Sequence, residues 1–272
     1  MKGKVLIAAG SDSGGGAGIQ ADIKAVTALG GFAATAITAL TAQNTLGVQG
    51  VVPVAPDFIR LQMRLVLEDI GADALKTGML HDAPTIEAVC GEIEALAPGV
   101  PLVADPVMVA KGGHRLLEED AVESLKRRLL PLAAVLTPNL PEAEALAGVE
   151  VRDEAGMARA AEALLRLGAR AVLLKGGHLP GSRVVDLLAT PSGTDRFEDA
   201  RIETRHTHGT GCTLASAVAA GLAQGMALRD AVARARFYVR AAIAAAPGYG
   251  KGHGPLDHGV TIDPERLRLL GG

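Results

Sequence analysis

The feature that most constrains the fold is a regular alternation between short apolar runs and longer stretches with the apolar spacing of a helix. The first three segments set this pattern, with a predicted strand at 4–9, a helix at 18–30 and a strand at 32–40. Parallel neighbours in a sheet need a crossover of a dozen or so residues, which a helix provides. Further predicted strands lie at 73–80, 101–107, 133–139 and 169–177, and further predicted helices lie at 83–97, 118–130, 141–147 and 154–167. We therefore expect an α/β fold with a mostly parallel sheet covered by helices on both faces.

One segment breaks this alternation. Residues 184–190 and 196–204 are two β-like runs joined by the turn-rich pentapeptide PSGTD, which leaves no room for a helix. This pattern predicts an antiparallel hairpin at the edge of the sheet. Two long Ala-rich helical stretches follow, and the Gly-, Pro- and His-rich residues 247–258 are predicted to be irregular. No linker or internal repeat divides the chain, so we expect a single domain over residues 1–272.

Composition argues against several classes of protein. Apolar residues make up 49% of the chain, but Gly, Pro or a charge interrupts every apolar run before the roughly 18 residues of a spanning helix. We expect no membrane span, and we interpret the apolar residues 5–9 as a strand rather than a signal peptide. A net charge of −3 offers no basic surface for nucleic acid. Cys90 and Cys212 form no CxxC pattern, which disfavours a zinc site or a disulfide framework and favours a reducing cytoplasm.

The motif HTHGTGCTLASA carries the strongest chemical signal. Gly209, Thr210 and Gly211 immediately precede a predicted helix that begins near Cys212. Glycines let several N–H groups face one point, and the positive end of the helix dipole faces the same point, so an anion such as phosphate should bind there. The same dipole should favour the thiolate of Cys212, which suits a base that removes a hydroxyl proton. The structural alternative is a glycine N-cap followed by a small buried cysteine.

Carboxylate and amide side chains follow two of the predicted strands. Asp105 ends one strand, and Asn139 and Glu142 follow the next in the motif TPNLPEAE. Mg²⁺ keeps several waters, so one or two carboxylates and an amide near the phosphates suffice to hold it. Asp105 capping a turn, and Asn139 with Glu142 forming a capping box, are the structural alternatives. For Glu142 both interpretations remain open, and they do not exclude one another.

Lys175 ends the apolar run AVLLK and is the only charge in its stretch of apolar and glycine residues. A cation at that strand end would contact phosphates as a point charge, and the structural alternative is a strand-end lysine that reaches solvent. Ligands of open α/β sheets bind at the carboxyl ends of the strands. The polar and glycine motifs of this chain fall at those predicted ends, so we expect the site there.

Two other motifs disfavour a dinucleotide-binding site and a zinc site. The segment SDSGGGAGIQAD at 11–22 lacks a clean GxGxxG, and no acidic residue ends a second strand about 20 residues on, which disfavours a dinucleotide-binding fold. His206 and His208 would share a strand face, but no third ligand is evident for zinc. His253 and His258 lie in the glycine-rich tail and are expected to be solvated.

Seven motifs occur in order over nearly the whole chain: AGSDSGGGAGIQADIKA, LTAQNT, KTGML, DPVM, TPNLPEAEAL, LLKGGH and HGTGC. Together they resemble the hydroxymethylpyrimidine/phosphomethylpyrimidine kinases of thiamine biosynthesis. The resemblance implies a ribokinase-like three-layer α/β/α sandwich, ATP and Mg²⁺ as cofactors, and a cytoplasmic homodimer. The implied reaction is ATP-dependent phosphorylation of 4-amino-5-hydroxymethyl-2-methylpyrimidine and then of its monophosphate.

The resemblance also implies roles for individual residues. Cys212 would be the base and Lys175 would stabilise the transferring phosphoryl group, beside an anion hole formed by Gly209, Thr210 and Gly211. Asp105, Asn139 and Glu142 would organise metal and phosphates, with Thr207 assigned to the nucleotide site beside Lys175, Asn139 and Gly209. Gln43 would bind the aminopyrimidine edge, since an amide both donates and accepts. Ala17, Asp22, Met79 and Val107 complete the predicted substrate site, with Met79 equally plausible as an ordinary core residue.

Some positions depart from the family pattern. Ser13 and Gly14 stand where Pro-Ser is expected, and His206 stands where Asn is commoner, so we expect the first loop to be looser. Two other functions compete with the pyrimidine kinase. A pyridoxal or pyridoxine kinase would share the fold and the anion hole, and a non-catalytic nucleotide- or vitamin-binding protein would keep only the fold.

Overall fold

The core of the protein is one nine-stranded sheet, seen in a computed structural model that describes residues 1–110, 113–114, 116–118 and 120–262. The strands are β1 (Lys4–Asp12), β2 (Phe32–Asn44), β3 (Gly47–Pro53), β4 (Ala74–Thr77), β5 (Leu102–Ala104), β6 (Ala133–Leu136), β7 (Val172–Lys175), β8 (Arg183–Thr190) and β9 (Gly193–Ala200). Their order across the sheet is β3-β2-β1-β4-β5-β6-β7-β8-β9. The six central strands β2, β1, β4, β5, β6 and β7 pair in parallel with their neighbours. Strand β3 at one edge, and β8 with β9 at the other, are added antiparallel.

Helices cover both faces of the sheet. They are α1 (Gly18–Ala28), α2 (Pro56–Asp69), α3 (Ala83–Leu96), α4 (Ala121–Ser124), α5 (Leu140–Ala147), α6 (Glu154–Arg166), α7 (Thr210–Ala223) and α8 (Leu228–Ala244). Strand β1 shows why two layers are needed, because its side chains alternate between two apolar clusters. Leu6 belongs to an apolar cluster that includes residues of α2, α3 and α6, whereas Val5 and Ile7 belong to one that includes residues of α1, α7 and α8. Burial on both faces is typical of parallel strands, and it gives the three-layer sandwich that the sequence predicted.

The predicted hairpin is confirmed, since β8 and β9 pair along their whole length at one edge of the sheet. The opposite edge was not predicted. Strand β3 pairs antiparallel with β2, and helix α2 follows it. The predicted helix at 118–130 is also different, because α4 begins at Ala121 and passes through a π-turn to a short 3₁₀ segment that contains Pro131. Proline has no N–H to continue an α-helix, so the regular helix ends there.

No helix in the described part of the chain is long and apolar enough to cross a membrane.

Candidate active site

A cavity of about 1090 Å³ opens at the carboxyl ends of the parallel strands. Its walls combine the ends of β1, β4 and β7 with the loops after β5 and β6 and the start of α7. The cavity lies where the sequence placed the site. Every predicted site residue except Asp22 lines it: Ala17, Gln43, Met79, Asp105, Val107, Asn139, Glu142, Lys175, Thr207, Gly209, Thr210, Gly211 and Cys212.

The N-terminus of α7 forms one wall of the cavity. Gly209 is the N-cap residue, with a left-handed φ of 82°, and a Cβ there would come 1.7 Å from the carbonyl oxygen of Gly16. Only glycine fits this close approach of two loops. The helix begins at Thr210, two residues earlier than predicted, so Gly211 and Cys212 lie in its first turn. The N–H groups of a first turn have no partner within the helix, which makes this end of α7 suitable for an anion.

Lys175 lies directly over this helix end and is paired with Asp105. Its Nζ donates to Asp105 Oδ1 at 3.1 Å, and Thr137 Oγ1 donates to the same oxygen at 3.1 Å. A Cβ on Gly211 would come 3.2 Å from Lys175 Nζ. Burial favours loss of the Lys175 charge, but Asp105 and Glu142 outweigh it and raise the pKa of this lysine. Lys175 is therefore a charged group at the cavity wall, beside the anion-binding end of α7.

Asn139 and Glu142 form the capping box of α5. Asn139 Oδ1 accepts from the Glu142 N–H at 2.9 Å, and Glu142 Oε2 accepts from the Asn139 N–H at 2.8 Å. Burial, with a smaller contribution from Asp105, raises the pKa of Glu142 to about 7 against the opposing effect of Lys175. The structural alternative for these two residues is thus confirmed, while both still line the cavity.

Among the described residues, no three His, Cys, Asp or Glu side chains are grouped to cage a metal ion. Asp105 and Glu142 nevertheless fit Mg²⁺, since they are two carboxylates that repel each other at one cavity wall. Mg²⁺ is commonly held by one or two carboxylates, waters and substrate phosphates rather than by a protein cage. Asp105 and Glu142 would hold it, with Asn139 beside them, and one oxygen each of Glu142 and Asn139 also accepts a capping hydrogen bond.

The pKa of the Cys212 thiol differs from the expectation. Burial raises its pKa to about 12, with Asp22 and Asp105 adding to the rise and Lys76 opposing it. The helix dipole was expected to favour the thiolate, but a dipole acting from one end does not offset the loss of water. In the resting protein Cys212 is therefore a thiol at neutral pH.

Asp12 and His208 form a pair that sequence reasoning did not assign. His208 Nε2 lies 2.8 Å from Asp12 Oδ2 and 3.3 Å from the amide nitrogen of Gln43. Burial acts to raise the pKa of Asp12, but hydrogen bonds from His208 and from backbone N–H groups outweigh it and lower that pKa. His208 thus lies in a loop against Gln43, not on a strand face with His206. Asp12 and His208 are 196 positions apart, so no local pattern signals their contact.

The glycine-rich first loop is held by the same carboxylate. The N–H groups of Gly14, Gly16 and Ala17 donate to the oxygens of Asp12 at 2.8 to 3.1 Å. Lys24 Nζ also donates to the carbonyl of Gly15 at 2.8 Å. Asp12 therefore holds the backbone of the loop on both sides of Gly15.

Asp22 does not line the cavity. It is fully buried behind the wall, where both of its oxygens accept from Lys76 Nζ at 2.9 Å. Ser216 Oγ donates to it at 2.7 Å. A direct contact between Asp22 and substrate therefore does not fit the structure, whereas its partner Lys76 does line the cavity.

The tail segment at 247–258, called the strap below, fastens the loops around the cavity. The His208 N–H, in the loop before α7 that we call the anion loop, donates to the Gly254 carbonyl of the strap at 3.1 Å. The His253 N–H of the strap donates to the Thr45 carbonyl, in the β2–β3 turn, at 2.9 Å. The expectation of solvated histidines fits the exposed His253 but is wrong for His258. His258 is 6% exposed, and its Nε2 lies 2.9 Å from Thr213 Oγ1.

Fold and site together define a class of protein. A phosphate-binding helix end, a charged lysine above it and two carboxylates suited to Mg²⁺ are the parts that phosphoryl transfer needs. They meet at the strand ends of an α/β sandwich, next to a half-enclosed space with the Gln43 amide. These features are those of a small-molecule kinase.

Comparison with known proteins narrows this class. A family model described as phosphomethylpyrimidine kinase matches residues 12–257. A hydroxymethylpyrimidine/phosphomethylpyrimidine kinase from Streptomyces coelicolor is 52% identical over 95% of this chain and 95% of its own. A thiamine biosynthesis bifunctional protein from Geobacter sulfurreducens is 52% identical over 98% of this chain, which spans 54% of that longer relative. The chain belongs to the hydroxymethylpyrimidine/phosphomethylpyrimidine kinase family and is a phosphotransferase, as the sequence motifs predicted.

The fold has a close match among solved structures. A Bacillus subtilis pyridoxal kinase in complex with ADP superposes with a TM-score of 0.88 and 36% identity, covering 99% of this chain and 100% of that one. This likeness confirms the ribokinase-like architecture. It also shows that a nucleotide binds a protein of this fold.

Proposed function

We propose that this chain transfers the γ-phosphate of ATP to the hydroxymethyl oxygen of 4-amino-5-hydroxymethyl-2-methylpyrimidine, and then a second phosphate to the monophosphate. The observation that carries this proposal is the position of Lys175 over the first turn of α7, with Cys212 in that turn and Gln43 in the same cavity. The names of the sequence relatives support the same substrate.

Each cavity residue has a role in the proposed transfer. The substrate hydroxyl oxygen forms a bond to the γ-phosphorus while the bond from that phosphorus to the β-phosphate oxygen breaks, and ADP leaves. The hydroxyl proton passes to the thiolate form of Cys212, which becomes the thiol, while Lys175 and the N–H groups at Gly211 and Cys212 stabilise the charge on the phosphoryl oxygens. Mg²⁺, held at Asp105 and Glu142, supplies further neutralisation of phosphate charge when it is bound. Gln43, positioned by His208, hydrogen-bonds the aminopyrimidine edge.

The role of Cys212 depends on its ionisation. A thiol with a pKa of about 12 does not accept a proton at neutral pH until a nearby cation stabilises its thiolate. The proposed mechanism therefore requires a positive group beside Cys212. Lys76 and Lys175 are the protein groups that supply positive charge there, and the pKa of about 12 already includes the lowering effect of Lys76.

The first experiment offers purified protein Mg-ATP with the hydroxymethylpyrimidine, and pyridoxal in a parallel reaction, and follows ADP and phosphorylated products by mass. Successive mono- and diphosphates of the pyrimidine are expected. Product from pyridoxal alone would move the substrate to the second candidate, which the fold match to a pyridoxal kinase favours. No turnover of either compound would leave a non-catalytic binding protein. A Cys212→Ala variant with near-normal turnover would contradict the proposed base.

A homodimer is also proposed, from an exposed apolar patch near the β3 edge. Phe58, Leu61 and Leu65 form one stripe of α2 and are 46 to 60% exposed. Leu40 and Val52 are paired across β2 and β3 and are exposed as well. Contiguous apolar patches of this kind mark association surfaces. Sedimentation should give a dimer for the natural chain and a monomer for Leu65→Glu, and a monomer for both would refute this assembly.

A reducing compartment such as the cytoplasm is proposed from the cysteines. Cys90 and Cys212 are both free thiols, and Cys90 is buried within the core of the α2, α3 and α6 layer. Thiols persist where disulfides do not form.

A further inference from the structure

Lys76, on β4, is the largest side chain in the described part of the molecule that is completely buried. Its Nζ donates to both oxygens of Asp22 at 2.9 Å, and neither side chain has measurable exposure. Lysine is almost never fully buried unless it is paired. A sealed ion pair contributes little net stability, because desolvation of both charges offsets their attraction. Its place next to a catalytic cavity therefore calls for a functional explanation.

Helix α7 connects this pair to Cys212. Ser216 Oγ donates to Asp22 Oδ1 at 2.7 Å, and Ser216 follows Cys212 by four positions on the same helix. Residues four apart share one helix face, one turn apart, so the Lys76–Asp22 pair lies on the side of α7 that carries the thiol. Lys76 and Cys212 also line the same cavity.

Several charged groups act on the thiol from the elements packed around α7. Asp22 on α1 and Asp105 after β5 oppose the thiolate, and Lys76 on β4 favours it more strongly than either carboxylate opposes it. Lys175 on β7 also interacts with the thiol, but it is paired with Asp105 and faces the phosphate end of the cavity. Lys76 keeps its charge, because attraction to Asp22, Cys212 and Asp105 outweighs the effect of burial and holds its pKa above the usual range.

We propose that Lys76 is a positioning residue for the proton-accepting thiol, in that its ammonium stabilises the Cys212 thiolate while Asp22 and Ser216 fix its place. This inference rests on the proposed role of Cys212 as the base. In the sequence Lys76 belongs to the motif KTGML, and the side chain was assigned no role there. Its function is electrostatic, because both of its oxygen partners belong to Asp22 on the far side from the cavity.

The test measures the thiol itself, without ATP or substrate. In a Cys90→Ala background Cys212 is the only thiol of the chain, and its alkylation rate by iodoacetamide is followed from pH 7 to pH 10. Lys76→Met should slow alkylation at least tenfold at each pH. Asp22→Asn should accelerate it, because the opposing carboxylate is removed while Asp105 and the thiolate that forms still attract the Lys76 charge. A structural defect would change both variants in the same direction, whereas the proposal predicts opposite signs.

Controls keep the result decisive. Arg64→Met removes the cation of another pair with a buried carboxylate, Glu92, outside the cavity, and should leave alkylation unchanged. Circular dichroism and thermal unfolding identify folded variants, and if Lys76→Met does not fold, the neutral pair Lys76→Met/Asp22→Asn carries the same expectation of slower alkylation. Unchanged rates, or changes of one sign in both single variants, would overturn the proposal. Failure of the kinase assay would not, since alkylation is independent of turnover.

Discussion

Two lysine–aspartate pairs lie at or behind the cavity wall and differ in how far they are sealed from solvent. Lys76 and Asp22 are sealed, with both aspartate oxygens bound at 2.9 Å and no exposure of either side chain. Lys175 and Asp105 are joined by one contact of 3.1 Å, and the lysine side chain is 15% exposed. The sealed pair has no route by which to exchange partners. Under the proposed function the open pair would release Asp105 toward a cation and present Lys175 to a phosphate, so the difference would separate a fixed charge from an exchangeable one.

The largest expected effect contrasts the two aspartates. Asp22→Ala leaves Lys76 as an unpaired charge in a site without water and should lower the free energy of unfolding by about 3–5 kcal/mol. Asp105→Ala should cost less than half of that, because Lys175 reaches the solvent of the cavity. Urea denaturation of both variants measures the difference. Equal losses would mean that the two pairs are equivalent in stability and that exposure does not distinguish them.

The next effect concerns the exchangeable lysine. Lys175→Met should reduce kcat by about 10²–10³, since it removes a cation directed at the transferring phosphoryl group. KM for the pyrimidine should change little, because Gln43 and its neighbours remain in place. Steady-state kinetics against the natural chain test this, with Lys251→Met, at an exposed position in the strap, as a matched loss of one lysine. A kcat within threefold of normal for Lys175→Met would show that the open pair is structural.

A smaller effect concerns Glu142, a carboxylate that lies near the open pair of Lys175 and Asp105. Glu142 has its pKa raised to about 7, first by burial and then by Asp105. Above pH 4.5 the unfolded chain releases this proton more readily than the folded one, so stability falls as the pH rises from about 4.5 to 7. Glu142→Gln keeps the capping box and should be more stable than the natural chain at pH 8, by about 1–3 kcal/mol, but not at pH 4. A gain that is independent of pH would contradict this origin.

The smallest effect compares two hydroxyls that donate to the two aspartates. Ser216 binds Asp22 at 2.7 Å, and Thr137 binds Asp105 at 3.1 Å. Ser216→Ala should cost about 2 kcal/mol of unfolding free energy, in the range for a hydrogen bond to a charged group, and Thr137→Val about half as much. Thermal unfolding of the two variants is the measurement. The reverse order would show that the sealed pair depends on its lysine alone.

The two lysines also show how much of the candidate site could be predicted from the sequence. Lys175 is the last residue of its strand and Lys76 is the last but one. Lys175 was assigned a role because its apolar and glycine surroundings predicted a cation at a strand end. Lys76 has a similar local pattern, yet its partner lies 54 positions away on α1. Local spacing locates a strand end but does not show which side chain turns toward the cavity and which toward a helix behind it. Asp22 was placed in the substrate site by the family resemblance, which likewise does not show which way a side chain turns.

The alternation of strands and helices predicted most of the fold, and its failures have local causes. Strand β3 contains Gly47 and Gly50, which interrupt the alternation of apolar and polar residues. Helix α2 exposes Phe58, Leu61 and Leu65, so its apolar residues do not lie on one buried face. The Cys212 pKa was misjudged for a different reason. The sequence shows that a helix begins beside the thiol, but burial is set by α1 and the sheet, which only the assembled fold brings together.

The strap gives the molecule a particular order of assembly during translation. The anion loop and the β2–β3 turn are both fastened by backbone bonds to Gly254 and His253, and a ribosome releases these residues after every strand of the sheet. A nascent chain can thus complete the sheet while its anion loop still lacks its hydrogen bond to the strap. We expect ribosome-bound chains that stop before the strap to reach a folded core without nucleotide affinity, so that binding competence arises only after Gly254 has left the ribosome.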